Sequence, residues 1–255
     1  MPTGLGDELL WLCPSLDDSP NDLSGNGNNG TYVNGTSTVA DSDPTYGGSR
    51  AYNFDGTDDY ITFGDILDTE VWTSGKWSAS GWVKVKNGQT QANLIMKYFG
   101  NDREFIIDVI DRGSGITAEF IFAGAGDASK IRQVRGDTIL STDQWYHIAV
   151  EFDNSRTSDE MGKIWVNGIA QSITVVSSAG TITNIQDGPA SLSMGAAARS
   201  GAGAGGHRSG YSDDLRVYNR TLTQAEITLL ASARAVLGGL GGGGTHTQRT
   251  LLGVG

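Results

Sequence analysis

The sequence predicts an all-β fold, an antiparallel sandwich followed by one short carboxyl-terminal helix, and three stretches carry that expectation. Residues 144–153, QWYHIAVEFD, place Tyr146, Ile148, Val150 and Phe152 on one face and Trp145, His147, Ala149 and Glu151 on the other. This is the period of two that a strand imposes. Asn167-Gly168 is the strongest short hairpin signal in the chain, because both residues accept the positive φ of a two-residue turn. Residues 210–227, GYSDDLRVYNRTLTQAEI, join a paired acid to a short alternating run in which Leu215 and Val217 oppose Arg216 and Tyr218. Thr223 and Glu226 then form a capping box, with Leu222 and Ile227 as its hydrophobic staple, so a helix should start at Gln224.

The remaining elements follow in order. Residues 9–12 form a first strand that Pro14 ends, since proline cannot donate to a ladder. Residues 17–30, DDSPNDLSGNGNNG, accept left-handed backbone and offer oxygens, a composition that serves either tight turns or a cation cradle. Tyr32 and Val33 resume a strand, and residues 51–63 read as strand, turn and strand around the dipeptide Asp55-Gly56. Residues 76–86 alternate Trp77, Ala79 and Gly81 against Ser78, Ser80 and Trp82. Residues 93–99, 105–110 and 116–122 have the cadence of an antiparallel meander rather than of βαβ units. The Asn167-Gly168 turn should join 163–169 to a partner at 171–176, and 191–194 is a further strand. Residues 196–206, AAARSGAGAGG, are of low complexity and are expected to form an exposed, mobile loop.

At 255 residues without an internal linker, one core over residues 1–237 is expected, followed by a glycine-rich tail, 238–255. A net charge of -11 opposes binding to phosphate backbones, so no nucleic-acid partner is expected, while acidic loops suit calcium. Cys13 is the single cysteine and there are three histidines, which excludes an intrachain disulfide and a Cys/His metal cluster. The amino end, MPTGLGDELLWLCPSLDD, has neither a basic n-region nor a long apolar run, so neither a secretory signal nor a membrane span is expected.

The stretches SLDDSPNDLSGNGNNGTYV, AYNFDGTDDYITF, WSASGWVKV, DQWYHIAVEFD, KIWVNGIAQ and SDDLRVYNRTLTQAEI occur in that order across residues 9–230. Together they resemble the laminin G-like branch of the concanavalin A-like lectin/glucanase superfamily, found widely in bacterial and phage surface proteins. The resemblance implies a jelly roll of two packed antiparallel sheets with the first and last strands adjacent. It also implies a structural Ca2+ where the amino-terminal loop meets the acidic pair, at Asp22, Asn26 and Asn28 on one side and Asp213 and Asp214 on the other. Calcium takes about six to eight oxygens. The competing reading is that Asp214 hydrogen-bonds backbone amides that the Gly/Asn loop leaves unpaired.

Glucanases of the superfamily set two glutamates and an aspartate on one strand face, and no such cluster reads from this sequence. Glu104 with Asp108 and Asp111 comes nearest without reproducing the spacing, while Glu119 and Glu151 stand alone on their strands as solvent-facing charges, so no enzymatic activity is expected. His147 has no Ser or Cys nucleophile beside it and reads as structural. Saccharide binding needs aromatic platforms. Trp77, Trp145 and Trp165 fit positions that serve packing in similar proteins, which leaves Trp72 and Tyr98, at loop or strand ends, as the ligand-binding candidates.

The tail, GGLGGGGTHTQRTLLGVG, reads as a flexible linker to a weakly apolar peptide, 250–254, suited to docking on a neighbouring subunit. A surface-type fold without a secretory signal points to a protein carried on a virion or extracellular particle surface. The leading expectation is a non-catalytic jelly-roll module displayed on a phage-like particle, as a homo-oligomer or with capsid or tail subunits, that stabilises the shell or contacts glycans. The alternative is a free calcium-dependent lectin-like carbohydrate-binding protein. A third class is a glycoside hydrolase acting through Glu104 or Asp108.

Overall fold

The computed structural model describes residues 5–14, 18–40, 50–68, 74–100, 102–124, 130–157, 159–199 and 203–238. The early strands are β1 (Leu10–Leu12), β2 (Thr31–Val33), β3 (Ser37–Ala40), β4 (Arg50–Asp55), β5 (Tyr60–Gly64) and β6 (Lys76–Val85). The meander follows as β7 (Gln91–Phe99), β8 (Asp102–Asp111), β9 (Ile116–Ala123) and β10 (Ile131–Gly136). Next come β11 (Tyr146–Asp153), β12 (Gly162–Val166), β13 (Ile169–Ala170), β14 (Ile173–Ser178) and β15 (Leu192–Met194). The chain then forms β16 (Ala197–Arg199), β17 (Gly203–Gly205), β18 (Ser209–Tyr218) and the helix α1 (Gln224–Gly238).

Two antiparallel sheets form the jelly-roll-like sandwich. The first has the order β13-β12-β11-β6-β18-β4-β3, with β1 also pairing β18, and the second has the order β14-β10-β9-β8-β7-β15-β5-β2. First and last strands are therefore adjacent, with Leu10 opposite Val217 and Leu12 opposite Leu215. The sheets meet in one core. From the first come Trp77, Ala79, Val83, Ile148, Val150, Phe152, Leu215 and Val217, and from the second Phe105, Ile107, Val109, Phe120 and Phe122. Trp77 spans the gap, its ring 4.8 Å from that of Phe105 and edge-on to Phe120 at 5.6 Å. These are the positions that the alternation in residues 76–86, 144–153 and 215–218 assigns to one face.

Several expectations need correction. The strand, turn and strand around Asp55-Gly56 are present as β4 and β5, which lie in different sheets, so this turn carries the chain across the sandwich. Asn167 (φ 50) and Gly168 (φ 80) close a hairpin, but the returning strand is only Ile169–Ala170. Beyond it the chain crosses over, and β14 pairs β10 in the other sheet. Turn chemistry is local, whereas the choice of sheet depends on which edge is open. β3 and β10, with few apolar residues, had no clear alternation to announce them. The segment 196–206 is not a plain exposed loop. β16 pairs β17, and Ala196 and Ala198 are buried, their small side chains allowing close approach; residues 200–202 lie outside the described residues.

α1 covers part of the outer face of the first sheet, where Leu222, Ile227 and Leu230 pack on Ala149, Trp165 and Tyr218. Its start is built as expected. Glu226 accepts from the Thr223 backbone amide (2.7 Å) while the Glu226 amide donates to Thr223 Oγ1 (3.3 Å). Arg220 bridges Glu226 (2.8 Å) and Asp7, and with the cap it holds the Glu226 carboxyl at about 2, below its ordinary 4.5. Gly238 is the last helical residue, and the tail beyond it, 239–255, lies outside the described residues.

Replacing Glu226→Ala should destabilise the fold by about 1 kcal/mol at pH 7, the usual scale of a lost cap, since solvent screens the arginine pair at a side chain 25% exposed. A lowered carboxyl pKa stabilises above about 4.5 and loses that contribution as pH falls through about 2. Urea melts of both proteins at pH 7 and pH 2.5 should therefore show the difference shrinking in acid.

Candidate functional site

The outer face of the second sheet carries the chemistry. Along β8, Phe105, Ile107 and Val109 enter the core, so Glu104, Ile106 and Asp108 point the other way. Register extends that face across neighbouring strands in two rows. One row runs Gln133, Ile121, Ile106, Met96, and the next runs Arg135, Glu119, Asp108, Asn93. Above the rows lies a cleft of about 290 Å³, lined by Tyr98, Arg103, Glu104, Arg112, Gln133 and Arg208 around an apolar floor of Ile106, Ile121, Ala123 and Ile131.

The carboxylates of this face are buried and engaged. Glu119 accepts from Arg112 (2.8 Å), Gln133 (2.7 Å) and Arg135 (3.2 Å). Burial works against its charge, but these donors outweigh it and hold its carboxyl below the usual range. Asp108 accepts from Asn93 Nδ2 (3.0 Å) and Arg208 (3.3 Å), yet it lies so deep that burial pushes its carboxyl up. Lys97, fully buried, shares its ammonium among Asp68, Asp65 (2.9 Å) and Glu104 (3.2 Å), and these three outweigh burial to keep it charged. Glu104 receives the longest of those contacts and one amide, from Gly188 (3.1 Å). Burial therefore wins at Glu104 and pushes its carboxyl up to about 9, leaving a neutral acid at the cleft wall at pH 7. The cleft thus offers guanidinium and amide donors, a carboxylic acid and an apolar floor.

Of the residues singled out in the sequence, Tyr98 lines this cleft, half-buried, with the Arg103 guanidinium 5.7 Å from its ring. Trp72 lies outside the described residues. Glu104 and Asp108 share the face, but Asp111 does not join them; its Oδ1 accepts the Gly113 and Gly115 amides in the β8–β9 turn. Glu119 is not an isolated solvent-facing charge, since register sets it directly across from Asp108. Glu151 is likewise buried, 4% exposed and paired with Arg156. Arg208, which completes the cleft, had no signal beside the low-complexity stretch it follows. A smaller cleft, about 200 Å³, opens on the first sheet beside Trp145 and Tyr211, with the Lys84 ammonium 4.9 Å from both rings.

The two halves of the amino-terminal clasp meet on Trp11. Asp22 accepts the amides of Trp11 (3.0 Å), Ser24 (2.9 Å) and Asn28 (3.0 Å), while Asn26 and Asn28 donate to the carbonyl of Leu9. Asp214, at φ 48, accepts the Trp11 indole N–H (2.8 Å) and pairs with Arg216. Asp213 is buried, and burial with the adjacent Asp214 charge raises its carboxyl well above the usual range. An ion at Asp22, Asn26, Asn28, Asp213 and Asp214 would compete with these donors. His147 lies close by in the sheet, its imidazole pushed down to about 3 by burial and by Arg216. Among the described residues, two acidic clusters are tight enough that they could coordinate a metal ion, Asp55/Asp58/Asp59 and Asp65/Asp68/Glu104. No described helix is long and apolar enough to cross a membrane.

Residues 55–228 match the profile described as the concanavalin A-like lectin/glucanases superfamily. The chain belongs to that superfamily, as a laminin G-like β-sandwich domain. No curated protein matches the sequence. Among solved structures, the chain is similar to domain 4 of AbnA, a GH43 extracellular arabinanase from Geobacillus stearothermophilus, in complex with arabinotriose. That match is 18% identical, covers 88% of this chain and 98% of that one, and has a TM-score of 0.60. The binding domain of Paraclostridial Mosquitocidal Protein 1 is 14% identical over 89% of this chain and 52% of that one, with a TM-score of 0.66. A botulinum neurotoxin serotype D ligand-binding domain in complex with N-acetylneuraminic acid is 13% identical over 89% and 51%, with a TM-score of 0.61. The chain spans about half the length of these toxin structures. At these identities the likeness is one of fold.

Glu104 gives this site a pH signature. A raised carboxyl pKa means that the folded chain holds the proton more tightly than the unfolded one, so stability falls as pH rises from about 4.5 through about 9. Glu104→Gln should gain on the wild type steadily across that window in urea melts at pH 5, 7 and 9. A difference independent of pH would show that Glu104 is ionised throughout.

Proposed function

We propose that the chain is a carbohydrate-binding module whose saccharide site is the cleft on the outer face of the second sheet. The observation that carries this reading is the pairing, within one cleft of about 290 Å³, of the Tyr98 ring and an isoleucine floor with Arg103, Arg112, Arg208 and Gln133. A sugar ring has an apolar face and an equatorial belt of hydroxyls. The first packs on aromatic and aliphatic carbon, and the second pairs with planar guanidinium and amide groups. Arg112 and Arg208 pair with Glu119 and Asp108, while Arg103 stands beside the Tyr98 ring and favours a saccharide that bears a carboxylate. Support of a different kind comes from the similar structures, where an arabinanase domain was solved with arabinotriose and a neurotoxin domain with N-acetylneuraminic acid.

In this reading the chain is the lectin-like binder that the sequence offered as an alternative. Display on a phage-like particle is a separate proposal, and assembly with like subunits rests on the tail, whose residues 239–255 lie outside the described residues. A structural calcium at Asp22, Asn26, Asn28, Asp213 and Asp214 is a separate proposal, supported by the oxygen-rich loop and the acidic pair meeting on Trp11.

Calorimetric titration with a neutral arabino-oligosaccharide and with an N-acetylneuraminic acid-terminated glycan tests the site. The acidic glycan should bind more tightly, and Tyr98→Ala should weaken it roughly tenfold, the scale of a lost aromatic contact. No heat from either saccharide, or binding unaffected by both Tyr98→Ala and Gln133→Ala, would count against the cleft.

A further inference from the structure

The turn that carries the chain from the first sheet to the second holds three carboxylates, and one of them is incompletely satisfied. Asp59 is 3% exposed. Its Oδ2 accepts the Asp55 amide (3.0 Å), but its buried Oδ1 accepts no hydrogen bond among the described residues. Buried carboxylate oxygens are nearly always paired, so an orphaned one calls for a missing partner. One oxygen each from Asp55, Asp58 and Asp59 lies within 4.8 Å of the other two. Two ligands held at about 2.4 Å from one calcium ion stand at most about 4.8 Å apart, and these three oxygens meet that condition.

Gly35 faces Asp59, and a Cβ there would lie 2.9 Å from Oδ1, so the absent side chain keeps that approach open. Asp55 is oriented by the amides of Thr57 (2.7 Å) and Asp58 (3.3 Å), both on Oδ1. Lys86, whose ammonium donates to the Phe54 carbonyl, is the cation that Asp55 and Asp59 feel, and three carboxylates against one ammonium leave two negative charges. All the donors are oxygens, which selects a hard cation.

We infer that Asp55, Asp58 and Asp59 form a calcium site that clamps the crossover between the sheets, separate from the saccharide cleft and from the clasp at Asp22. The full-length chain, stripped with chelator, would be titrated with Tb3+ while tyrosine is excited, since Tyr60 adjoins the site, and the ion then displaced with Ca2+. Sensitised emission should appear and be reversed by calcium. Asp58→Ala, an exposed position whose loss the fold tolerates, should weaken binding roughly tenfold, and Asp59→Asn by at least as much. Asp22→Asn should bind like the wild type, with circular dichroism confirming that each variant is folded. Absence of emission in the wild type, wild-type affinity in Asp58→Ala, or loss confined to Asp22→Asn would each overturn the assignment.

Discussion

The buried guanidinium of Arg216 ties the first and last strands of the first sheet together. Arg216 is fully buried within β18, its guanidinium held by Asp214 (3.0 Å) and Glu8 (3.3 Å) and stacked 4.6 Å from the Trp11 ring. Burying a charge is tolerable only when its donors are satisfied, and here two carboxylates and an indole face do so. The acids come from two distant parts of the chain. Glu8 precedes β1 and Asp214 lies inside β18, so the ion pair can close only when first and last strands lie side by side. Asp214 adopts positive φ at the shift in register between β18 and β6, and that irregularity separates the half of β18 that pairs β4 from the half that pairs β1.

The second sheet solves a comparable problem differently. Its outer face buries Glu104, Asp108 and Glu119, and three arginines and a lysine from four places converge to balance them. The result is uneven. Glu119, with three donors, stays ionised, whereas Glu104, with the longest share of one lysine, does not. The same face thus supplies a neutral acid, guanidinium groups and an apolar floor. The superfamily's glucanases use a strand face of carboxylates for bond cleavage, while here Glu119 and Asp108 are tied to arginine, glutamine and asparagine side chains.

Much of the fold was legible because its signals are local. Alternation identified the core faces of β6, β11 and β18, the Asn167-Gly168 pair identified a tight hairpin, and Thr223 with Glu226 identified the first turn of α1. The cleft was only half legible. Tyr98, Glu104 and Asp108 stood out singly, but Glu119 and Arg208 join them through register and through a returning loop, neither of which leaves a trace in nearby residues. Asp111 was grouped with the others by proximity in sequence and went instead to capping a turn.

By itself the sequence determined the strand faces, the turn chemistry, the helix start and, through the order of its motifs, the superfamily. These follow from side-chain period and backbone preference within a few residues. Only the tertiary structure decided which sheet received β5 and β14, which carboxylates met which arginines, and which of those acids kept their protons. Those outcomes depend on burial and on distances between residues up to about two hundred positions apart, as with Glu8 and Arg216.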